Sequence, residues 1–371
     1  MKIKSTFLIS GMLLFAFWSQ AQPIEPKLQT LLDSVNAAQP SSIGVMLHVE
    51  SPQKGISWSG ASGYASKEKK TLLEADQPAL IASNIKTYVS ASILRIVEEG
   101  QLNIDQPIKD LLTDQTRGLF EARGYQLDEI TLQHLLSHTS GLQDYANQDY
   151  IDFIDQNKKY RWTRDEQLAL TLKIGAPLGG PGFTYNYADA NYLLCTEILE
   201  GITQKPFYTA MRDLLDYQSL GLNNTWMPTL EEKPEGTKTL AHQYWSEMGW
   251  DTYDIDVSVD LYGGGGIACT TSDLARFAYD LFNYKVVKDT ATLNLIYTEI
   301  PTDDTKTSRY YLGITDYEIE GYKAYGHSGF WGTQVYYFPE LKTAIAVFVL
   351  ERDQRGLRPE IVKKAIITML E

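Results

Sequence analysis

The sequence predicts an α/β chain in which both ends supply strands with flanking helices and the middle supplies a mainly helical insertion. Strand-like apolar runs lie before residue 60 and again after residue 320. Between them, apolar residues recur at helical spacing and are separated by long loops. The 371 residues suit one large composite domain or two. We therefore expect a composite domain from 22–100 and 256–371, with a helical domain at 101–255.

The first elements follow from local patterns. Residues 43–49 have strand composition, and a second strand begins at 55–58 after a turn at 51–54, which predicts a hairpin. The apolar stretch 78–82 leads into Ser83, after which a helix is predicted and Gly100 ends it as a C-cap residue. The helical spacing is carried by Ile85, Val89, Ile93, Ile96 and Val97.

The remaining elements are predicted in the same way. Short helices are expected at 130–138, 165–172 and 190–201. Thr270 begins a sequence that resembles a capping box, so a helix should follow it. Strands are expected at 324–326, 334–338 and 343–350, and an amphipathic helix at 359–370.

Composition excludes some classes of function. Hydrophobic residues make up 43% and charged residues 22% of the chain, as in ordinary globular proteins. The net charge is −14 and the sequence shows no basic patch, so nucleic acid is not an expected partner. The excess of acidic over basic residues indicates solubility and says little about the substrate.

The N-terminus reads as a secretory signal. Lys2 and Lys4 precede an apolar stretch at 6–18 that is too short to span a bilayer, and 19–21 is a small-x-small cleavage signal. Cleavage after Ala21 predicts an exported, periplasmic or extracellular protein beginning at Gln22, without a membrane span. No cysteine lies near the cut, so a lipid anchor is not indicated. The alternative is an uncleaved N-terminal anchor.

The chain has only two cysteines, Cys195 and Cys269. Both read as small buried hydrophobic residues, and a disulfide between them is possible but not favoured.

Four spaced motifs carry the chemistry. Ser83 and Lys86 are three residues apart at the head of a helix, which places both side chains on one face. There the lysine can take the serine proton, and the positive helix end favours an oxyanion. The other three motifs are Tyr187-Ala188-Asp189 after a Pro-Gly turn, the glycine run 263–266, and His327-Ser328-Gly329.

Rival motifs are weaker. Ser51 and Ser66 also precede a lysine by three residues, but one lies in a hairpin turn and the other in a charged run. No Gly-x-Ser-x-Gly elbow occurs, and His134 and His138 lack the glutamate of a zincin. Both histidines should instead satisfy backbone groups around a tight corner. The glycine run lacks the Lys-Ser/Thr ending of a phosphate loop. We expect neither a metal nor a cofactor.

Together the motifs resemble those of the serine beta-lactamase and D-alanyl-D-alanine peptidase superfamily, over residues 40–350. The segments that carry the resemblance are 81–87, 134–142, 181–194, 264–265 and 326–329. The resemblance is to the branch with class C-type beta-lactamases, DD-carboxypeptidases, D-aminopeptidases and esterases. It implies a beta-lactamase/transpeptidase-like fold, with an antiparallel sheet, flanking helices and an inserted helical domain.

The resemblance also implies roles for residues. Ser83 is the nucleophile, Lys86 and Tyr187 move protons, and His327 aids proton traffic or polarises the site. The substrate and oxyanion contacts are assigned to Asp189, Ser328, Gly329 and Phe330, with the backbone N–H groups of Ser83 and Phe330 as the oxyanion hole.

Two features of the tyrosine motif need care. Tyr145-Ala146-Asn147 is a literal Tyr-x-Asn, but the flanks of Tyr187 match the family and we choose Tyr187. Asp189 replaces the usual asparagine, so an acceptor stands where an amide is common. It can pair with Lys86, and it favours amine-bearing or neutral substrates over carboxylate-bearing ones.

The sequence therefore predicts an exported serine hydrolase acting through an acyl-Ser intermediate on D-amino-acid peptides, amides or small esters. A true beta-lactamase and a catalytically inactive penicillin-binding-like protein remain the alternatives.

Overall fold

The computed structural model describes residues 24–302 and 310–371. Seven strands form an antiparallel sheet in the order β3-β2-β1-β11-β10-β9-β8, and two strand pairs, β4-β7 and β5-β6, stand apart from it. The strands are β1 Gly44–Ser51, β2 Ile56–Ser66, β3 Thr71–Leu72, β4 Ala79–Leu80, β5 Tyr244–Trp245, β6 Trp250–Asp251, β7 Ala268–Cys269, β8 Thr315–Ile319, β9 Tyr322–Ser328, β10 Thr333–Phe338 and β11 Thr343–Val349.

The helices cover both faces of this sheet and fill the middle of the chain. They are α1 Ile24–Ala38, α2 Ile85–Glu98, α3 Asp114–Glu121, α4 Leu132–Leu136, α5 Gln148–Gln156, α6 Arg164–Ile174, α7 Ala190–Thr203, α8 Phe207–Leu214, α9 Thr271–Phe282, α10 Thr290–Asn294 and α11 Leu357–Leu370.

The centre of the sheet is buried on both faces. In β1, Val45 and Leu47 pack with α1 and α11 on one face of the sheet. Met46 points to the opposite face, into the larger core, and α9 lies on that side. Because successive side chains of a strand alternate between faces, a strand covered on both sides is apolar at both sets of positions. This accounts for the mostly apolar composition of residues 43–49, where His48 is the one polar side chain.

The stretch between β4 and β7 is mainly helical. Its central helix is α7, whose first ten residues are buried and which packs against α2, α4, α6 and α8. The structure thus places helices where the insertion is expected, together with the short pair β5-β6. The exact domain boundaries stay a prediction.

Most sequence-predicted elements are present with shifted ends. The β1-β2 hairpin pairs from Gly44↔Gly63 to Ser51↔Ile56, as expected. Gly100 has a φ of 72° just past α2, which suits a glycine at a helix end. The side chain of Thr270 caps α9 by accepting from the Asp273 N–H. His327 and Ser328 lie inside β9, whereas the sequence suggested a segment between two strands.

Several short elements were not predicted individually, among them α3, α5, α8, α10, β3, β5 and β6, and neither were α1 and β8. Helix α1 buries Leu28, Leu32 and Val35. These residues are spaced by four and then three positions, a pattern that is typical of a helix and would have predicted one. Strand β8 is a partly exposed edge strand with little apolar signal.

The cysteines agree with their interpretation as buried hydrophobic residues: Cys195 and Cys269 are both free and fully buried. The predicted signal and its cleavage site at Ala21 lie outside the described residues. Within 24–302 and 310–371, no helix combines the length and apolar character needed to cross a membrane.

Candidate active site

Ser83 lies in a 3₁₀ turn, Ala82–Asn84, directly before α2. Ala82 has a φ of 45°, a left-handed conformation that residues with a β-carbon rarely adopt. The Asn84 amide fixes the turn by donating to the Ile81 carbonyl at 2.7 Å and to Thr333 Oγ1 at 3.0 Å. The turn that carries Ser83 is therefore hydrogen-bonded, through Asn84, to Thr333 at the start of β10.

Lys86 is fully buried one turn later. Its ammonium group donates to Ser83 Oγ at 3.0 Å and to the Gly264 carbonyl at 2.9 Å, and it pairs with Asp189 Oδ1 at 2.7 Å. Two hydrogen bonds and one ion pair therefore surround the buried amine. The structure thus brings three of the four sequence motifs together around one side chain.

Tyr187 completes this group. The Ser83 side chain acts on its phenol and stabilises the phenolate form, and the ring centre of Tyr187 lies 5.0 Å from Lys86 Nζ. Burial, followed by the negative charge of Asp189, raises the pKa of Tyr187 well above its usual value. The neutral phenol is therefore the resting form, which suits a proton donor better than a base. Tyr145, the rival, packs edge-on against Tyr150 at 5.1 Å.

Two further carboxyl groups, which sequence reasoning missed, surround Asp189. Asp144 Oδ1 accepts from the Asp189 N–H at 3.2 Å, so it holds the backbone of the motif. Burial and then the charge of Asp189 raise the pKa of Asp144 to about 7 and that of Asp260 to about 8. We define these three residues, Asp144, Asp189 and Asp260, as the acid cluster.

His327 is held as a neutral ring. Its Nδ1 donates to the Ser328 carbonyl at 2.8 Å, which leaves Nε2 to accept from the Tyr310 hydroxyl at 3.0 Å. Burial, and then the positive charge of Lys86, lower the pKa of His327 to about 3. Its ring centre lies 6.4 Å from that of Tyr187. Tyr310 was not foreseen, because nothing in its local sequence marks it.

The residues after His327 shape the strand edge. A β-carbon on Gly329 would lie 2.2 Å from the Ile81 carbonyl oxygen, so this glycine is required by the turn that precedes Ser83. The substrate contact that the resemblance implies for Gly329 stays a prediction. The Ser328 side chain acts on the Tyr317 phenol, and the Phe330 ring packs against Trp245 at 5.4 Å.

The two remaining histidines of the motif segments support the backbone, as expected. His134 Nδ1 accepts from the Thr131 N–H at 3.1 Å and caps α4. His138 Nδ1 accepts from the Ala188 N–H at 3.2 Å, which ties the corner at 138–141 to the tyrosine motif.

A small cavity opens beside the Ser83 turn. Its walls come from the turn itself and from the loop before the glycine run. The lining residues are Leu80, Ala82, Thr252, Ile255, Asp256, Val257, Val259, Asp260, Gly266 and Trp331.

One group of side chains has the composition of a metal site. The candidate ligand atoms of Glu68, His242 and Asp251 lie within 4.8 Å of one another. His242 Nδ1 is already hydrogen-bonded to Asp251 at 2.7 Å, and Glu68 accepts from the Tyr244 hydroxyl at 2.7 Å. These groups satisfy one another, and the expectation of a metal-free enzyme stays a prediction.

Comparison with known proteins decides the family. The family model described as Beta-lactamase matches residues 43–359. The chain belongs to the beta-lactamase family. A penicillin-binding protein of Bacillus subtilis (strain 168) is 22% identical over 344 residues, covering 88% of this chain and 72% of its own. An esterase of Burkholderia gladioli is 30% identical over 175 residues, which cover 44% of this chain and 42% of the esterase.

The solved structures agree on the fold. D-amino acid amidase from Ochrobactrum anthropi SV3 superposes with a TM-score of 0.78 at 21% identity, covering 94% of this chain and 98% of the amidase. The resemblance inferred from the motifs and the predicted beta-lactamase-like fold are both confirmed. The protein is thus a serine hydrolase of the beta-lactamase superfamily.

Proposed function

We propose that this beta-lactamase-family hydrolase forms an acyl-enzyme on Ser83 and acts on D-amino-acid amides, D-amino-acid peptides or small esters. The observation that carries the proposal is that the buried Lys86 amine donates to Ser83 Oγ at 3.0 Å, while the Tyr187 phenol acts on the same serine side chain. A serine with a base in contact and an acid beside it is equipped for nucleophilic catalysis.

The proposed reaction has two halves. Ser83 Oγ attacks the substrate carbonyl and gives its proton to Lys86 in the neutral form of that amine, while the N–H groups of Ser83 and Phe330 bind the oxyanion. Tyr187 passes a proton to the leaving amine or alkoxide and regains one from the Lys86 ammonium, which becomes neutral again. Water then attacks the ester of Ser83 and gives a proton to neutral Lys86, and that proton passes to Ser83 Oγ as the acid product leaves.

The preference for substrate follows from charge. The Asp189 carboxylate pairs with Lys86 and keeps 14% of its surface exposed, so it presents negative charge at the site. Such a charge repels the carboxylate of a beta-lactam or of a peptide C-terminus and attracts a free ammonium group. The structural similarity to an enzyme named D-amino acid amidase and the sequence similarity to an esterase support the same substrates.

Export is part of the proposal. It rests on the signal-like residues 1–21. A periplasmic or extracellular location would place the enzyme where D-amino-acid peptides of the cell wall occur.

A hydrolysis panel tests the proposal. Purified protein is offered D-amino-acid amides, D-Ala-D-Ala peptides, nitrophenyl esters and nitrocefin, and is labelled with a fluorophosphonate. We expect turnover of amides or esters above that of nitrocefin, and covalent labelling. Nitrocefin as the best substrate would indicate a true beta-lactamase. Fluorescent penicillin bound without any turnover would indicate an inactive binding protein.

A further inference from the structure

Asp260 lies against the backbone of the glycine run. A β-carbon on Gly265 would fall 1.9 Å from Asp260 Oδ2, and one on Gly264 would fall 2.5 Å from Asp260 Oδ1. Real β-carbons do not approach other atoms so closely. The carboxyl group therefore occupies the space that two side chains would otherwise need, and this gives Gly264 and Gly265 a structural reason.

Gly264 connects this carboxyl to the nucleophile. Its carbonyl accepts from Lys86 Nζ at 2.9 Å, and its Cα faces Asp189, whose Oδ2 would lie 3.3 Å from a β-carbon placed there. Asp260 and Asp189 thus pack on the same residue, while Lys86 binds both that residue and Asp189. A displacement or change of charge at Asp260 reaches Lys86 through two of its three contacts.

We propose that Asp260 is a positioning residue for Ser83 and Lys86: its carboxyl group, packed on Gly264 and Gly265, keeps the Gly264 carbonyl and the Asp189 carboxylate on the Lys86 amine. The inference rests on the proposed acyl-serine mechanism for its effect on rate. It goes beyond that mechanism by assigning a role to a residue outside the motifs.

The charges around Asp260 explain why its carboxyl group needs to be protonated. Asp189 at the N-cap of α7 and Asp144 in the loop before α5 are like charges, and only Lys86 on α2 opposes them among the charged groups that act on Asp260. A third carboxylate there would repel Asp189 and favour the ammonium form of Lys86, which cannot accept the Ser83 proton. Three tyrosines also face the acid cluster: Tyr145, Tyr150 and Tyr187.

The pH dependence has a definite sign. The pKa of Asp260 is raised to about 8, so its proton is held at neutral pH and lost above that value. The asparagine variant has the same shape and cannot ionise. We therefore expect Asp260→Asn to react with a fluorophosphonate at pH 7 within about threefold of wild type, and the ratio of variant to wild-type rate to rise about tenfold between pH 7 and pH 9.

Matched variants separate charge from shape. Asp254→Asn changes an exposed carboxylate of the same loop and should leave the ratio flat across this range. Asp260→Ala removes the group that packs on the glycines and should slow labelling at every pH. A ratio for Asp260→Asn that stays flat from pH 7 to pH 9, or a folded Asp260→Asn protein that labels as slowly as Asp260→Ala, would overturn the proposal.

Thermal unfolding gives a readout that does not depend on activity. A carboxyl whose pKa is higher in the folded state than in the unfolded chain makes folding take up a proton, so stability falls as pH rises from about 4 to about 8. Relative to Asp260→Asn, wild type should lose melting temperature across that window. A difference in melting temperature between wild type and Asp260→Asn that stays constant with pH would contradict the protonated carboxyl, whether or not wild type is labelled. If wild type is not labelled but this difference changes with pH as expected, the result counts against the proposed function and not against the role of Asp260.

Discussion

Lys86 Nζ and Asp189 Oδ1 form an ion pair of 2.7 Å between a lysine with no exposed surface and a carboxylate that keeps 14% of its surface exposed. The same lysine donates to Ser83 Oγ at 3.0 Å. One side chain therefore links Asp189 to Ser83. In the proposed mechanism, both the preference for substrate charge and the reactivity of the nucleophile depend on this pair.

Substrate preference should change when the charge of this pair is altered. Asp189→Asn removes the negative charge that disfavours carboxylate-bearing substrates, so nitrocefin turnover should rise relative to nitrophenyl ester turnover. The ratio of kcat/KM values on the two substrates measures this. The electrostatic argument is wrong if wild type already prefers nitrocefin and the variant leaves the ratio unchanged.

Covalent labelling should depend on Ser83 alone. Ser83→Ala removes the only hydroxyl in contact with Lys86 among the described contacts, so it should abolish fluorophosphonate labelling while the circular dichroism spectrum stays native. Ser51→Ala and Ser66→Ala are the matched controls and should label normally. A mass-spectrometric adduct on Ser51, Ser66 or Ser328 would show that the nucleophile is misassigned.

The two candidate tyrosines should differ in effect. Tyr187→Phe removes the phenol that contacts Ser83 and should lower kcat by roughly a hundredfold or more, the usual scale for losing a general acid–base group. Tyr145→Phe should cost far less, since that ring packs on Tyr150. Steady-state kinetics on one ester compares them, and the reverse order would identify Tyr145 as the functional residue.

His327 should act as a neutral residue across the working range of pH. Burial and the charge of Lys86 lower the pKa of His327 to about 3. Between about pH 6.5 and pH 3, this histidine is therefore protonated in the unfolded chain but neutral in the folded protein. Stability should therefore be lost as pH falls from about 6.5 towards 3. His327→Gln should flatten this part of the melting-temperature profile. Equal acid sensitivity in wild type and variant would falsify the neutral assignment.

The mature protein should begin at Gln22. N-terminal sequencing of material from the native host should give this residue or its cyclised form, because 19–21 is a small-x-small cleavage signal. Full-length chain recovered in the membrane fraction would instead indicate an uncleaved anchor.

Local patterns predicted the parts of the site that depend on short spacing. Ser83 and Lys86 are one helical turn apart, so the periodicity of 85–97 was enough to place them together. The contact of this pair with Tyr187 came from the resemblance of the motifs to a family, since no local rule joins residues so distant in the chain.

The parts that escaped prediction arise from tertiary packing. Asp144, Asp260 and Tyr310 lie in loops or at a strand bridge with no distinctive sequence, and only the folded chain brings them to Asp189 and His327. Ser83 itself lies in a 3₁₀ turn before α2 and not in the helix, because Asn84 ties that turn to β10. Spacing alone does not encode such a restraint.

The burial of both cysteines of this chain has a consequence for site-specific labelling. Its two cysteines are buried and free, and burial raises the pKa of both thiols, so little reactive thiolate is available at the surface. A single cysteine introduced at an exposed position, such as Tyr253 in the loop beside the cavity, would therefore be the one site that takes a maleimide dye. The native protein is in this sense a ready background for fluorescence or spin-label measurements of that loop while Ser83 is acylated.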